Sequence, residues 1–486
     1  MTINDLEPKM VWKFFHEITQ IPRPSKKEGK IIEYIERLAA SEGLAIKKDA
    51  AGNLCLSKPA TKGYESLPTV ILQAHLDMVC EKNSDVVHDF EHDPIRTVVD
   101  GEWLRAEGTT LGADNGIGVA AALAVIFSPE VEHGPIECLF TVDEETGLTG
   151  ANALQEGFLT GKILLNLDSE DEGQIFVGCA GGKGTAATFD FSPVAAPDAL
   201  QYFQIKVTGL NGGHSGCDIH KGLGNANKLL VRFLYRLREE CDFTLAKIQG
   251  GNLHNAIARE ASAVIGLSAD KREQVRVLLN NFASDIENEL RRVDPNVRLL
   301  MESTDVPATV LANELRDRLI NSLLACPHGV VAMSHDIEGL VETSTNLASI
   351  KAIGDAQIVV ETSQRSSLDS AKIAIADQVA AVFRLAGAKV KHGDGYPGWA
   401  PNPDSKILKT AQDSYRQLFG REPQIMAIHA GLECGLFLAK YPDMDMISFG
   451  PTMRAVHSPD ERIEISTVAL FWQHLKDVLI KVEGRK

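Results

Sequence analysis

The sequence predicts an α/β fold: a mostly parallel sheet between helices, interrupted by an inserted α+β domain. Three observations carry this prediction. Over residues 1–192, apolar strand-like runs alternate with apolar helices, as in layered α/β domains. From about Phe191-Ser192-Pro193 the strands become one-sided, with Phe203, Ile205 and Val207 alternating with polar residues, the pattern of a sheet with one open face. After Asp394-Gly395-Tyr396-Pro397-Gly398 the first texture returns. A chain of 486 residues is also too long for one core. The expected segments are 1–192, 193–394 and 395–486, the outer two forming one domain.

Taken in order, Trp12, Phe15 and Ile18, then Ile31, Ile32, Ile35 and Leu38, have helical spacing. The loop Ile21-Pro22-Arg23-Pro24-Ser25 separates them. Short strands are expected at 45–48 and 53–57. Val70, Ile71 and Leu72 read as a buried strand running into His75 and Asp77. The glycine-rich run 108–118 opens a helix at 117–127 with no polar face, which predicts burial. Strands follow at 136–142 and 163–167. In the middle segment helices are expected at 224–240, 269–292, 311–324 and 370–386, and strands at 261–267, 345–350 and 357–361. The last part supplies a helix at 405–419, a strand at 444–448 and an amphipathic helix at 465–482.

Lys+Arg 49 against Asp+Glu 66 leaves a net charge of −17. That balance argues against a nucleic-acid or anionic-membrane partner, since there is no basic excess to neutralise phosphates. The first 20 residues carry charges throughout, and no stretch approaches a membrane span. The eight cysteines are scattered without a C-x-x-C pair, which reads as reduced thiols in a cytoplasm.

Five clusters bear chemistry. His75 and Asp77 share a face of extended chain; the pair is either a salt-bridged core histidine or a metal-binding imidazole with its carboxylate. Asp114 in Gly112-Ala113-Asp114-Asn115-Gly116 is a helix N-cap or a ligand. A phosphate loop is disfavoured there, because no Gly-Lys-Ser/Thr follows. Asp143-Glu144-Glu145 ends a strand, either as a solvated acid run or as adjacent carboxylates whose repulsion a cation relieves. Asp168 after strand 163–167 is a turn aspartate or a ligand, and His457 in His457-Ser458-Pro459 a surface histidine or a ligand. Imidazole and carboxylate donors without thiolates suit Zn, Mn or Co at a hydrolytic site. Five such residues exceed one tetrahedral zinc, and a bridging carboxylate would share them between two ions.

In this order the clusters resemble the M20 metallopeptidases, and the resemblance spans essentially the whole chain. The strings Gln73-Ala74-His75-Leu76-Asp77-Met78-Val79, Gly108 to Gly116, and His429-Ala430-Gly431-Leu432-Glu433-Cys434-Gly435 are similar to the family's aminoacyl-histidine dipeptidase branch. The resemblance implies a dinuclear-metal exopeptidase-like catalytic domain interrupted by an inserted lid domain. It implies two divalent ions, most simply Zn, with Co or Mn as alternatives. His75, Asp114 and Asp168 would hold one, and Asp114, Glu145 and His457 the other, with Asp114 bridging and its bond to Asn115 cis. Asp77 would orient His75, and Glu144 would be the general base. In the lid, His214 (Gly212-Gly213-His214-Ser215-Gly216) resembles the histidine that donates to the tetrahedral oxyanion, a turn histidine being the alternative. Asn255 resembles a substrate-contacting asparagine, although Ala258 stands where relatives usually have proline. Arg365 resembles the arginine that holds the substrate carboxylate, with a surface arginine as the alternative. Gly431 is expected as a backbone contact to substrate, and Glu433 is open between structure and amine recognition. The implied enzyme is a cytoplasmic, homodimeric metal-dependent dipeptidase acting on unblocked dipeptides, Xaa-His and β-alanyl-histidine included. A broader dipeptidase, a tripeptidase, an N-acyl amino-acid deacylase and a non-catalytic metal- or peptide-binding protein are the alternatives.

Overall fold

A computed structural model describes residues 2–402 and 404–483. At its centre, four strands lie side by side in the order Ile136–Thr141, Val70–His75, Ile163–Asn166, Asp445–Ser448. All three pairings between them are parallel. Every residue of the four strands is buried, as expected when both faces of a parallel sheet are covered. Parallelism stops there. Leu54–Lys58 and Ala45–Lys48 extend one edge antiparallel, and Gln174–Cys179 joins the other edge antiparallel. The sheet is therefore parallel at its core and mixed overall, with eight strands. Helix Ala113–Phe127 packs on Val70–His75 and on helix Lys9–Thr19. Its residues from Asn115 to Ile126 are all buried, as its missing polar face predicts. Helix Lys406–Phe419 packs on Ile465–Lys481 and on Asp445–Ser448.

These elements belong to one compact unit, Met1–Cys179, Trp399–Ala427 and Leu432–Lys486. The second unit is Ala180–Gly398 with Ile428–Gly431. It is built on a nine-stranded sheet, antiparallel in every pairing. Along Gln201–Thr208, Phe203, Ile205 and Val207 are buried while Gln204 and Lys206 are not, which is the one-sided alternation read from the sequence. Helices Ala226–Glu240, Arg272–Leu290, Asn313–Ala325 and Asp369–Leu385 contribute Phe233, Phe282, Leu319 and Phe383 to its core.

The units divide at 179/180 and 398/399 rather than at 192/193 and 394/395. The reason is strand Gly181–Asp190, which pairs with Gln357–Ser366 and Lys389–His392 and so belongs to the second sheet. The strand starts on Gly181-Gly182. In the structure a Cβ on Gly181 would lie 2.5 Å from the Gly398 nitrogen, so the glycine allows two backbones to meet. A small four-stranded sheet of Thr97–Asp100, Trp103–Ala106, Met453–Arg454 and Arg462–Glu464 also went unpredicted, its strands being too short to show a period. No helix of the described residues is long and apolar enough to cross a membrane.

Candidate active site

The parallel strands deliver their C-terminal ends along one edge of the central sheet. His75 closes its strand, and Asp168 follows Asn166 by two residues. Glu144 and Glu145 open a one-turn helix just after Ile136–Thr141. Asp114 sits in a bend at the head of the buried helix, where it and Asn115 have non-helical dihedrals and are joined by a cis peptide bond.

The side chains converge. His75 Nε2 is 3.1 Å from Asp114 Oδ1 and 3.4 Å from Asp168 Oδ1. His457 Nε2 is 3.1 Å from Asp114 Oδ2 and 3.1 Å from Glu145 Oε2. Asp114 thus turns one carboxylate oxygen to each imidazole, as a carboxylate shared between two ions requires. Two sets of three donors, His75–Asp114–Asp168 and Asp114–Glu145–His457, each fall within 4.8 Å of one another. A third set, His75–Glu144–Glu145, meets the same limit. The residues fit divalent ions by chemistry as well: hard oxygens and imidazoles, and a buried Glu145 Oε1 with no hydrogen-bond partner.

The electrostatics describe a site short of positive charge. Burial opposes ionisation of Asp114, but hydrogen bonds with His457 and His75 hold its carboxyl well below the usual range. The same bonds to Asp114 and Glu145 push His457 up to about 11. Burial raises Asp168 to about 6 and drives Glu144 well above the usual carboxylate range, with Asp168, Glu433 and Glu145 adding to the rise in Glu144. Burial also disfavours a charged His75, yet Asp168, Asp114 and Asp77 outweigh it and raise its pKa. Burial is thus the larger cause for Glu144, ahead of the repulsion from Glu145 that the sequence suggested.

Asp77 lies beside His75 and also reaches further. Its main-chain carbonyl is 3.2 Å from His75 Nδ1 and its carboxylate 3.5 Å. That carboxylate accepts the N–H groups of Glu144 and Glu145 at 3.0 and 3.2 Å and the Ser25 hydroxyl at 2.7 Å. It therefore ties the histidine loop to the glutamate turn. Glu433 is 1% exposed and accepts from Gln73 Nε2 at 2.6 Å and Thr141 Oγ1 at 2.9 Å; burial pushes it up to about 7. Two further buried residues with long polar reach, Arg23 and Glu461, hold the backbone of the loops around His75 and Asp114. Neither was singled out in the sequence. The available signal was a charged residue between prolines in one case and a carboxylate four places after His457 in the other.

In the second unit, His214, Arg365 and Gly431 come together around Tyr396. Arg365 is buried and donates to Tyr396 Oη at 2.9 Å; its other terminal nitrogen is 3.4 Å from His214 Nε2. His214 Nδ1 accepts from the backbone of Gly216 and Cys217. Burial and Arg365 lower the His214 pKa. A Cβ on Gly431 would meet the Tyr396 ring at 2.8 Å. Asn255 is half-buried and its carbonyl accepts from Ser215 N at 2.8 Å, beside a bridge between His214 and Ala256. Ala258 is buried and accepts Ala226 N through its carbonyl, so the segment is fixed without proline.

Residues 71–480 match peptidase family M20/M25/M40, and the chain belongs to that family. It is 44% identical over 483 residues to the cytosol non-specific dipeptidase of Escherichia coli K12, covering 99% of both chains. It also superposes on the crystal structure of aminoacylhistidine dipeptidase from Vibrio alginolyticus with a TM-score of 0.93 and 45% identity, covering 100% of this chain and 99% of the other. A tripeptidase from Staphylococcus aureus shares the fold at a TM-score of 0.57 and 18% identity, over 98% of this chain and 99% of that one.

Proposed function

We propose that the chain is a dinuclear metal-dependent dipeptidase that hydrolyses dipeptides with free termini, Xaa-His among them. The observation that carries this reading is Asp114, whose two oxygens face two different imidazoles, each backed by its own carboxylate. The names of the Escherichia coli and Vibrio alginolyticus relatives support a dipeptide substrate. They also favour two breadths of specificity, one non-specific and one for aminoacyl-histidine.

His75, Asp114 and Asp168 would hold one divalent ion, and Asp114, Glu145 and His457 the other, zinc being the simplest fit to this donor set. Such ions, when bound, acidify a water and polarise the peptide carbonyl. Glu144 takes the proton from the attacking water and returns it to the departing amine. Its burial suits it to accepting the proton, since a carboxylate with a raised pKa is the stronger base. Asp77 holds His75 and the Glu144–Glu145 turn in register. His214 donates to the oxyanion that develops on the carbonyl. Arg365 binds the substrate carboxylate, with Asn255 and Gly431 completing the contact. Cytoplasmic location and a homodimeric state belong to the same reading. The eight scattered cysteines, with no C-x-x-C pair, suit the first, and sedimentation velocity tests the second.

The test is a substrate panel of Xaa-His, Xaa-Leu, tripeptides and N-acetyl amino acids, each with defined Zn, Mn or Co. Turnover confined to N-acetyl amino acids would replace the reading with a deacylase, and none at all with a binding protein. Asp114→Ala should lose both ions; an alanine variant that keeps two per chain contradicts the bridge.

A further inference from the structure

We propose that Arg23 and Glu461 are positioning residues: two buried, opposite charges that fix the spacing of the loops carrying His75, Asp114 and His457. Each is only 2% exposed. The Arg23 guanidinium donates through one nitrogen to the carbonyls of Leu76 and Asp77, at 2.8 Å each. Through the other it donates to the Gly112 carbonyl. One side chain thus spans the loop after His75 and the bend before Asp114.

Glu461 does the complementary work on that bend. Its Oε2 accepts the N–H groups of Leu111 and Gly112 at 2.7 and 3.0 Å. Its Oε1 accepts those of Ala113 and Asp114 at 2.8 and 3.3 Å. Four consecutive backbone donors end on one carboxylate, while Glu461 N closes a turn on Ser458 O at 3.0 Å, just beyond His457. The bend is therefore held from its carbonyl side by Arg23 and from its amide side by Glu461.

The two glycines of Gly112-Ala113-Asp114-Asn115-Gly116 acquire a reason. A Cβ on Gly112 would lie 2.6 Å, and one on Gly116 2.7 Å, from the same Arg23 nitrogen. Gly112 also has a φ of +69°, which glycine adopts freely. The motif is shaped to seat a guanidinium as much as to present Asp114.

This inference rests on the dinuclear reading. Arg23 bridges the His75 and Asp114 loops, and Glu461 the Asp114 and His457 loops. Both hold the bend that carries the shared Asp114, so loss of either should weaken both ions. Removing a group that orients a ligand typically costs about 10- to 100-fold in metal affinity. The experiment is equilibrium dialysis of the full chain against buffered free Zn²⁺, with metal counted per chain. The set is wild type, Arg23→Lys, Glu461→Gln, His457→Ala, and Arg23→Lys and Glu461→Gln each combined with His457→Ala. The glutamine keeps the shape of Glu461 but sets an NH2 against two of the four donors.

In the His457→Ala background, only the ion held by His75, Asp114 and Asp168 remains. There Arg23→Lys should still weaken binding about 10- to 100-fold, and Glu461→Gln, which loosens the Asp114 bend, should weaken it as well. In the otherwise wild-type chain, each substitution should weaken both ions. Should Arg23→Lys fail to fold, the Glu461→Gln arms decide the matter alone. Wild-type affinity for both ions in both variants overturns the clamp, as does a remaining ion that Glu461→Gln leaves at its His457→Ala affinity. A wild-type chain that takes up fewer than two ions overturns the dinuclear reading instead.

Discussion

Asp77→Asn is the substitution on which the site geometry makes its sharpest demand. The change adds no volume and opens no cavity. The carboxylate accepts Glu144 N on Oδ1, and Glu145 N and the Ser25 hydroxyl on Oδ2. In asparagine one of these atoms becomes an NH2 group. The Ser25 hydroxyl can rotate and accept, but a backbone N–H cannot. Whichever way the amide is turned, one of the two N–H groups faces a donor. An unsatisfied buried donor costs about 1–3 kcal/mol, and the charge beside His75 is lost as well. Chemical denaturation of the metal-free variant should therefore read about 1–3 kcal/mol less stable than wild type. Because the same N–H groups seat Glu144 and Glu145, zinc affinity should fall about 10- to 100-fold. Stability within about 0.5 kcal/mol of wild type, the range of an innocuous surface change, together with unchanged zinc affinity, would refute the reasoning.

Glu144→Ala should cut turnover by about 10²- to 10⁴-fold, the usual contribution of a general base, while metal content stays near two ions; brisk turnover removes Glu144 from that role. Arg365→Ala should raise KM for dipeptides with a free carboxylate by roughly 10- to 150-fold, equivalent to about 1.5–3 kcal/mol for a charged hydrogen bond, and leave their amides much less affected. Equal effects on acids and amides sink the carboxylate clamp. Stability should also fall with acid for a reason outside the metal site. Burial and Lys228 lower His328 to about 4, and burial and Arg365 lower His429 to about 3. Unfolded histidine titrates near 6.5, so below that pH the unfolded chain binds protons that the folded chain refuses. Each group should then remove about 1.4 kcal/mol per pH unit as pH drops from about 6 to 4. Denaturation midpoints across that range measure the slope, which His328→Asn should reduce by one proton; an unchanged slope removes His328 as a cause.

Part of the candidate site was legible because parallel strands advertise themselves. A run buried on both faces is apolar throughout, so a histidine or acid at its end stands out, as His75, Asp168 and the Asp143–Glu145 run do. The alternation of Phe203, Ile205 and Val207 was equally plain. Gly181–Asp190 was hidden because its first glycine serves a close approach to Gly398, a contact no local window contains. Arg23 and Glu461 were hidden for a related reason. They act on backbone groups, which leave no trace in residue type, and their partners lie as far as 89 and 350 positions away. What the sequence shows is the space left for Arg23, in Gly112 and Gly116.

The three neighbouring carboxylates illustrate how one acid run can hold three chemistries. Asp143 takes a left-handed conformation, with φ 51°, and turns its carboxylate onto the hydroxyls of Thr146 and Thr149. Its own N–H goes to Glu28 at 2.9 Å. It is consumed in shaping the turn. Glu145 points one oxygen at His457 and leaves the other buried without a partner, the arrangement of a donor awaiting a cation. Glu144 shares the Asp77 anchor through its N–H, yet burial and neighbouring acids drive its pKa well up. A solvated acid run would leave all three carboxylates interchangeable. Here one shapes the turn, one presents an oxygen with no hydrogen-bond partner, and one is held where a proton is welcome. The turn separates the three roles by anchoring the backbone of all three residues, so adjacency in sequence becomes division of labour in space.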